Sequence, residues 1–356
     1  MVIDLCLDDE IEKKIEIKED FKIILEEGQI KLNDYRMLNS YEFINDILIE
    51  FYLNDWYTKK LNKEDRERTY VFNTYFYTAL AKSFNASDYP AHYTASQIRH
   101  KQVKRWTKYV DIFQKDFVFI PVNESNHWFL AVICFPYLSG KVNMNVGTPV
   151  NEPDDDAGGY PWPRITYSAV RDRSEAGPND EDLRLFDMAS RENLSKKQGL
   201  DYETDAEGTK IFRRIQVKRP CILVLDSYSG GVNRARITAT LRGWLEQEYF
   251  VKHPGQKKDF SPEAIKGAAL RVPQQPNNKD CGLFMIHFVE MFFKRPIVDY
   301  TFPIRHLENW FSVDEVVLNC RKRKELQCVI LNKMEEKRST MPEEIELPIL
   351  DIDYML

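Results

Sequence analysis

A polar, proline-rich loop that runs directly into an almost wholly apolar segment constrains the fold more than any other feature of this chain. The loop occupies residues 272–280, and the apolar segment runs from Cys281 to Phe293. This pattern predicts a core helix with Cys281 in its first turn. The free N–H groups and the dipole at a helix N-terminus favour an anion, and the thiolate is the nucleophilic form of cysteine. The alternative is that Cys281 is a small buried residue that simply opens a core helix.

Two other apolar runs carry the residues that a nucleophilic cysteine needs. His127 stands at the start of one predicted buried strand, and Asp226 stands at the end of another. This arrangement fits a triad in which Asp226 orients the imidazole of His127 and His127 activates Cys281. Gln275 lies on the loop before the cysteine, where its side-chain N–H can bind an oxyanion together with the backbone N–H of Cys281.

These motifs resemble those of the ubiquitin-like protein proteases, also called sentrin/SUMO-specific proteases. The matching motifs are His127-Trp128, Leu225-Asp226-Ser227 and Gln275-Pro-Asn-Asn-Lys-Asp-Cys-Gly282. The resemblance extends from about residue 29 to about residue 337. Within the family, residues 99–113 and 115–121 are most similar to the insertion-bearing, chain-editing branch, the sentrin-specific proteases six and seven.

The resemblance implies a papain-like α+β fold, with a central mixed sheet flanked by helices and a long insertion between the His and Asp strands. It implies a cysteine endopeptidase and isopeptidase that hydrolyses the bond after the C-terminal Gly-Gly of SUMO. Such an enzyme removes SUMO from conjugated proteins and trims poly-SUMO chains. The implied catalytic residues are His127, Asp226, Cys281 and Gln275.

Three further residues are assigned to substrate binding. Trp128 and Phe43 are expected to line a slot too narrow for any residue with a Cβ, which suits a Gly-Gly backbone. Phe43 stands where the family has the larger Trp. Asp46 matches the acid that meets an arginine of the bound protein, although a first-turn partner of the helix dipole is the alternative. Helical spacing of apolar residues predicts a helix over residues 41–61, capped by Asn39 or Ser40.

Composition excludes several classes of function. The 356 residues carry a formal net charge of −6, which argues against a general nucleic-acid binder. The six cysteines and six histidines show no ligand spacing, so we expect no metal site, no cofactor and no disulfide. No apolar run of about 18 residues occurs, so a membrane span and secretion are not expected. We expect a monomer in the nucleus, with the cytoplasm as the alternative.

The chain divides into three predicted parts, which are an acidic tail or linker at 1–20, a catalytic domain at 21–337 and a C-terminal tail at 338–356. Residues 139–214 of the domain are polar, highly charged and interrupted by Pro and Gly. Such a segment buries too little apolar surface to offset its ordering entropy. It therefore predicts a disordered insertion.

Short acidic and basic patterns add further hypotheses. Val2, Ile3 and Leu5, followed by acids, resemble a SUMO-interaction motif, although they could equally form a first strand. Residues 347–354 repeat this acidic, apolar pattern and either bind SUMO or pack on the domain. The basic run at residues 321–324 could be a nuclear signal or a solvated helix face.

Different functions for the same residues remain open. A protease for ubiquitin or Nedd8 would use the same site with a different recognition surface, and acetyltransferases of this fold share the triad. A non-catalytic SUMO receptor would use the acidic terminal patterns instead. Such a receptor would not need His127, Asp226, Gln275 and Cys281 together.

Overall fold

The computed structural model describes residues 22–25, 28–150, 201–204, 210–213, 216–228, 234–305, 307–337 and 347–354. Its strands in chain order are β1 (Lys22–Leu25), β2 (Gly28–Lys31), β3 (Thr69–Val71), β4 (Phe117–Glu124), β5 (His127–Cys134), β6 (Val142–Asn143), β7 (Asp201–Thr204), β8 (Lys210–Arg213), β9 (Val217–Lys218), β10 (Cys221–Leu225) and β11 (Lys266–Leu270). Its α-helices are α1 (Leu32–Arg36), α2 (Asp46–Asp55), α3 (Lys63–Glu67), α4 (Tyr75–Ala81), α5 (Ala95–Val103), α6 (Arg234–Lys252), α7 (Cys281–Lys294), α8 (Asp314–Val317) and α9 (Arg321–Lys337).

A five-stranded mixed sheet with the order β11-β10-β5-β4-β3 organises the larger of two compact units. Strand β5 is antiparallel to both of its neighbours, β4 and β10, whereas the outer pairs β3–β4 and β10–β11 are parallel. Strands β5 and β10 are almost wholly buried and apolar, as expected for strands covered on both faces. The central mixed sheet is therefore as predicted.

A two-residue turn connects β4 to β5 and sets where β5 begins. Glu124 pairs with His127, and the intervening Ser125 and Asn126 have φ values of 55° and 60°. Tight hairpin turns of this kind need positive φ at both central residues, a conformation that Asn tolerates well. The turn therefore makes His127 the first residue of β5.

Helices cover both faces of this sheet. On one face, α4 and α6 contribute Phe76 and Trp244 to a core that includes Val118 and Ile120 of β4. On the other face, Phe292 of α7 packs against the ring of Phe119, because successive strand residues point to opposite faces. No helix in the described part of the chain combines the length and the apolar character that crossing a membrane requires.

Two helices differ from the sequence prediction. The helix predicted from residue 41 begins at Asp46, because Asn45 is its N-cap and accepts a hydrogen bond from the N–H of Leu48 at 3.0 Å. The spacing of apolar residues predicts one helix over 310–336. The structure instead breaks it into α8 and α9, because Asn319 and Cys320 adopt positive φ.

The second compact unit comprises Gly140–Arg219 and Val298–Ile304. Within it, β6 pairs with β9, and the N–H of Tyr300 donates to the carbonyl of Val217 at 2.7 Å. The insertion lies between β5 and β10, as predicted. Residues 139–150, 201–204 and 210–213 of the predicted disordered segment are described and include β6 and the antiparallel pair β7–β8, which the prediction of disorder did not anticipate. Residues 151–200, 205–209 and 214–215 lie outside the described residues, and there disorder stays a prediction.

Residues 347–354 pack on the domain, which was one of the two expectations for them. Leu350 and Ile352 are fully buried, and the Asp351 carboxylate accepts hydrogen bonds from the backbone N–H and the hydroxyl of Ser40. Leu350 and Ile352 are therefore not available to a partner, whereas Ile349 between Pro348 and Leu350 is 63% exposed. The first acidic pattern, with Val2, Ile3 and Leu5, lies outside the described residues.

Candidate active site

His127 and Asp226 lie side by side at the ends of neighbouring strands. In the antiparallel register of β5 and β10, Leu130 pairs with Leu225, so the start of β5 meets the end of β10. Asp226 follows β10 directly, and its Oδ1 lies 2.7 Å from Nε2 of His127. The predicted pair of a base and its orienting acid is therefore present.

Asp226 has more partners than the sequence suggests. Its Oδ1 accepts a hydrogen bond from the N–H of Tyr228, and its Oδ2 accepts one from Nη2 of Arg234, each at 2.9 Å. Burial alone would raise the pKa of Asp226, but the hydrogen bonds from His127, Tyr228 and Arg234 hold it below its ordinary value. Asp226 is therefore ionised at neutral pH. Sequence reasoning missed Arg234.

The predicted nucleophile Cys281 is the first residue of α7 and is almost fully buried. The N–H of Trp128 donates to its Sγ at 3.5 Å. Burial alone would lower the pKa of His127, but hydrogen bonds with Asp226 and Cys281, and the negative charge on each, raise it to about 9. The structure thus brings Cys281, His127 and Asp226 together, with the imidazole protonated at neutral pH.

Gln275 is held by its own loop and by the end of β10. Its backbone N–H donates to the carbonyl of Ser227 at 2.9 Å, and its Oε1 accepts from the Ser227 hydroxyl at 2.7 Å. Its Nε2 donates one hydrogen bond to the carbonyl of Asn277 at 2.5 Å. A side-chain amide has two N–H groups, so this contact uses only one of them. The contribution of Ser227 was not predicted.

Two of the three residues assigned to substrate binding, Phe43 and Asp46, lie at or just before the start of α2, and the third, Trp128, lies in β5. Phe43 is 47% exposed, whereas Trp128 is buried. Asp46 is the first residue of α2, and its Oδ2 accepts a hydrogen bond from the hydroxyl of Tyr75 at 2.6 Å. Tyr75 is itself exposed, and no sequence pattern pointed to it. A slot between Phe43 and Trp128 stays a prediction.

The start of α7 packs directly against the segment that carries Phe43 and Asp46. Ile44 is buried and contacts Gly282, which follows Cys281. This contact explains a small residue after the cysteine, because a side chain at position 282 would displace Ile44.

Arg323 and Lys322 correct the interpretation of the basic run at residues 321–324. Each is only 2% exposed, so neither belongs to a solvated face or an accessible nuclear signal. Arg323 donates to Oδ1 of Asp280 at 2.7 Å, next to Cys281. The sequence pattern that could have indicated this burial is helical spacing. Arg323 precedes the buried Leu326 by three residues and the buried Ile330 by seven, so all three lie on the same helix face.

The candidate site lies within a stretch that matches known proteins. The model for "Ulp1 protease family, C-terminal catalytic domain" matches residues 42–328. Sentrin-specific protease 7 of Homo sapiens is 34% identical over 279 residues, which cover 78% of this chain and 24% of that protein. Sentrin-specific protease 6 of Mus musculus is 27% identical over an alignment of 425 positions, which covers 86% of this chain and 36% of that protein. The chain therefore spans from about a quarter to just over a third of the length of these relatives.

A solved structure is similar over most of the chain. The crystal structure of a de-sumoylating protease superposes with a TM-score of 0.51 at 20% sequence identity, covering 88% of this chain and 90% of that one. At this level of identity the similarity concerns the fold. It agrees with the predicted α+β fold of a central mixed sheet flanked by helices.

Proposed function

Because the chain belongs to the Ulp1 protease family, we propose that it is a cysteine protease that hydrolyses the bond after the C-terminal Gly-Gly of SUMO. In this proposal it removes SUMO from conjugated proteins and trims poly-SUMO chains. The sentrin-specific names of relatives that align with about four fifths of the chain support the choice of SUMO. The observation that carries the proposal is the 2.7 Å contact between His127 and Asp226 beside the thiol of Cys281.

The first step needs a thiolate beside a protonated imidazole. The pKa of about 9 keeps His127 protonated at neutral pH, and the ionised Asp226 holds that imidazolium in place. Sγ of Cys281 attacks the carbonyl carbon of the terminal glycine and forms a tetrahedral intermediate. Its oxyanion is bound by the backbone N–H of Cys281 and the second side-chain N–H of Gln275.

The second step breaks the isopeptide or peptide bond. The C–N bond of the intermediate cleaves, and His127 gives its proton to the leaving amine, which leaves a thioester on Cys281. A water molecule then attacks the thioester while His127 takes its proton. The S–C bond breaks, which regenerates the Cys281 thiolate. The product leaves as the Gly-Gly carboxylate after its remaining proton passes to solvent. His127 thus gives a proton in the first half-reaction and takes one back in the second, and we expect no cofactor.

Recognition is assigned to the segment at the start of α2. Phe43 and Trp128 line the path of the Gly-Gly, whose backbone lacks the Cβ atoms that a narrow slot would exclude. Asp46 binds an arginine of the SUMO surface, and Tyr75 presents an exposed ring beside it. Val2, Ile3 and Leu5 form a second, N-terminal contact with SUMO chains. Replacing these three with Ala should weaken chain binding but leave cleavage of a single SUMO unchanged.

Parallel labelling with vinyl-sulfone probes of SUMO, ubiquitin and Nedd8 tests the proposed activity. We expect an adduct with the SUMO probe that disappears in Cys281→Ser. Cys328→Ser is the matched control, because Cys328 is an exposed thiol that should not react specifically. Adducts with only the ubiquitin or Nedd8 probe would assign another substrate. SUMO binding without any adduct would indicate a receptor instead of a protease.

Assembly and location are also part of the proposal. All four proposed catalytic residues lie in one chain, which supports a functional monomer. The nuclear location depends on the family resemblance, since the buried Lys322 and Arg323 remove the basic run as a signal. Light scattering after size exclusion tests the monomer, and imaging of a fluorescent fusion tests the location.

A further inference from the structure

One buried guanidinium connects two loops that both lead to the candidate site. Arg323 of α9 donates to the carbonyls of Met37 at 3.1 Å, Asn39 at 2.7 Å and Glu42 at 2.7 Å. It also donates to Oδ1 of Asp280 at 2.7 Å. We define residues 37–45, which lead into α2, as the entry loop. Arg323 therefore binds the entry loop and the residue before Cys281 at the same time.

The acid in this contact, Asp280, is the last residue of the loop at 272–280 that leads into α7. Asp280 is nearly buried, and its Oδ2 accepts a hydrogen bond from Nδ2 of Asn277 at 2.7 Å. Its backbone carbonyl accepts the N–H of Phe284, one of the first hydrogen bonds of α7. A displacement of Asp280 would therefore move Cys281, the next residue.

A second contact holds the entry loop from the C-terminal side. The Asp351 carboxylate accepts from the backbone N–H and the hydroxyl of Ser40, each at 2.5 Å. The N–H of Asp351 donates to Oδ1 of Asn39 at 3.1 Å. Leu350 and Ile352, on either side of it, have no exposed surface, so the core fixes the position of Asp351.

We propose that Arg323 is a positioning residue that fixes the position of the entry loop relative to Cys281, and that Asp351 stabilises the entry loop alone. The proposal rests on the proposed function, because it assigns Phe43 and Asp46 to substrate binding and Cys281 to the chemistry. Arg323 then affects both substrate affinity and rate, whereas Asp351 affects affinity only. Arginine suits this role because its planar fork donates in several directions at once, which a lysine ammonium at the same position cannot reproduce.

The test compares Arg323→Lys with Asp351→Asn on a single SUMO that carries a fluorogenic C-terminal amide. For Arg323→Lys we expect kcat to fall about tenfold and KM to rise, since a displacement of about 1 Å at a reacting group can cost up to about 10²-fold. For Asp351→Asn we expect KM to rise about fivefold at unchanged kcat, the size of one lost hydrogen bond. Arg321→Lys, an exposed neighbour on the same helix, is the matched control and should behave as wild type.

A substrate-free measurement separates this proposal from the proposed function. Alkylation of Cys281 by iodoacetamide, followed by mass spectrometry on the peptide that contains Cys281, should slow in Arg323→Lys but not in Asp351→Asn. This readout remains valid even if the wild-type protein does not hydrolyse SUMO. Should Arg323→Lys not fold, Asp280→Asn breaks the same ion pair from the other side and should lower kcat without raising KM.

Two results would overturn the proposal. In the first, Arg323→Lys has a lower melting temperature but wild-type kcat, KM and alkylation rate, so the contact is purely structural. In the second, Asp351→Asn lowers kcat as much as Arg323→Lys, so Asp351 does not act on substrate affinity alone.

Discussion

A Cβ atom on Gly282 would lie 2.6 Å from Cγ1 and 2.9 Å from Cδ1 of Ile44. Non-bonded carbon atoms pack at about 3.5–4.0 Å, so no larger residue fits at position 282 while Ile44 keeps its place. Gly282 follows the proposed nucleophile, and Ile44 follows Phe43. This contact therefore determines how closely α7 approaches the entry loop.

Gly282→Ala should lower both the melting temperature and kcat/KM, because the new methyl group pushes Ile44 and the entry loop away from Cys281. Ile44→Ala alone should also destabilise, by roughly 2–5 kcal/mol, through the cavity it leaves. In the double variant the two losses should be clearly less than additive, because the alanine at 282 fills space vacated at 44. A double-mutant cycle on thermal unfolding and kcat/KM measures this coupling, and strict additivity would contradict the contact.

Asp226→Asn should reduce kcat by several orders of magnitude, about 10⁴-fold in the serine-protease precedent. It should also move the alkaline limb of the pH–rate profile to lower pH. His127 has its pKa raised from 6.5 to about 9, partly by Asp226, so removing the carboxylate makes the imidazolium lose its proton at a lower pH. A residual rate whose alkaline limb stays near pH 9 would exclude Asp226 as the cause of the shift.

The same raised pKa links folding stability to pH. A group whose pKa is higher in the folded state stabilises the fold below its unfolded pKa, and this contribution is lost as the pH rises through the folded value. The contribution of His127 should thus be complete below about pH 6.5 and disappear above about pH 9. Melting temperatures of the wild type and of His127→Ala should converge across this window, and a constant difference would argue against the ion pair.

Arg234→Met should move the acid limb of the pH–rate profile upward and leave the alkaline limb nearly in place. Arg234 donates to Oδ2 of Asp226 and helps to hold the pKa of Asp226 below its ordinary value. Without this partner, Asp226 takes up a proton at a higher pH and stops orienting His127. Arg236→Met is a useful control, since its neighbouring guanidinium pairs with Glu124 instead. Equal pH–rate profiles for the two variants would show that Arg234 does not influence Asp226.

Gln275→Ala should lower kcat roughly 10²–10³-fold with little change in KM, the usual effect of removing one oxyanion donor. Ser227→Ala should produce a smaller loss of the same kind, because the Ser227 hydroxyl fixes the amide of Gln275 through Oε1. Steady-state kinetics on the fluorogenic SUMO substrate distinguish the two parameters. A rise in KM alone would place Gln275 in ground-state binding.

The strands and the triad could be predicted because their signals are local. His127 begins one apolar run, Asp226 follows the end of another, and Cys281 begins a third, so short windows of sequence identify them. The antiparallel pairing of β5 and β10 then brings the two strand ends together. The family motifs point to the same residues.

The supporting residues could not be predicted in this way, because their partners are distant in sequence. Arg323 and Asn39 are separated by 284 positions, and no local pattern links them. The start of α2 also depends on a contact outside the helix itself. Asn39, Ser40 and Asn45 are all good N-caps, and the amide of Asn45 is selected by its hydrogen bond to Asp34 at 2.7 Å.

The buried charge in α7 is a further feature that the sequence did not predict. The helix looks apolar in the sequence, yet Glu290 is buried in it and pairs with the equally buried Lys322 of α9 at 3.0 Å. A buried carboxylate is tolerated only when such a partner is present. Because the partner comes from another helix, the sequence alone did not indicate that α7 and α9 pack through an ion pair.

The distance along the chain between the entry loop and its supports affects the order in which the protein becomes active during translation. The loop is made early, but Arg323 and Asp351, which hold it, are 284 and 311 residues downstream of Asn39 and Ser40. Cys281 is also synthesised before either support, since Arg323 and Asp351 both lie closer to the C-terminus. With the positioning roles proposed above, a nascent chain that already contains Cys281 still lacks the two contacts that hold its entry loop.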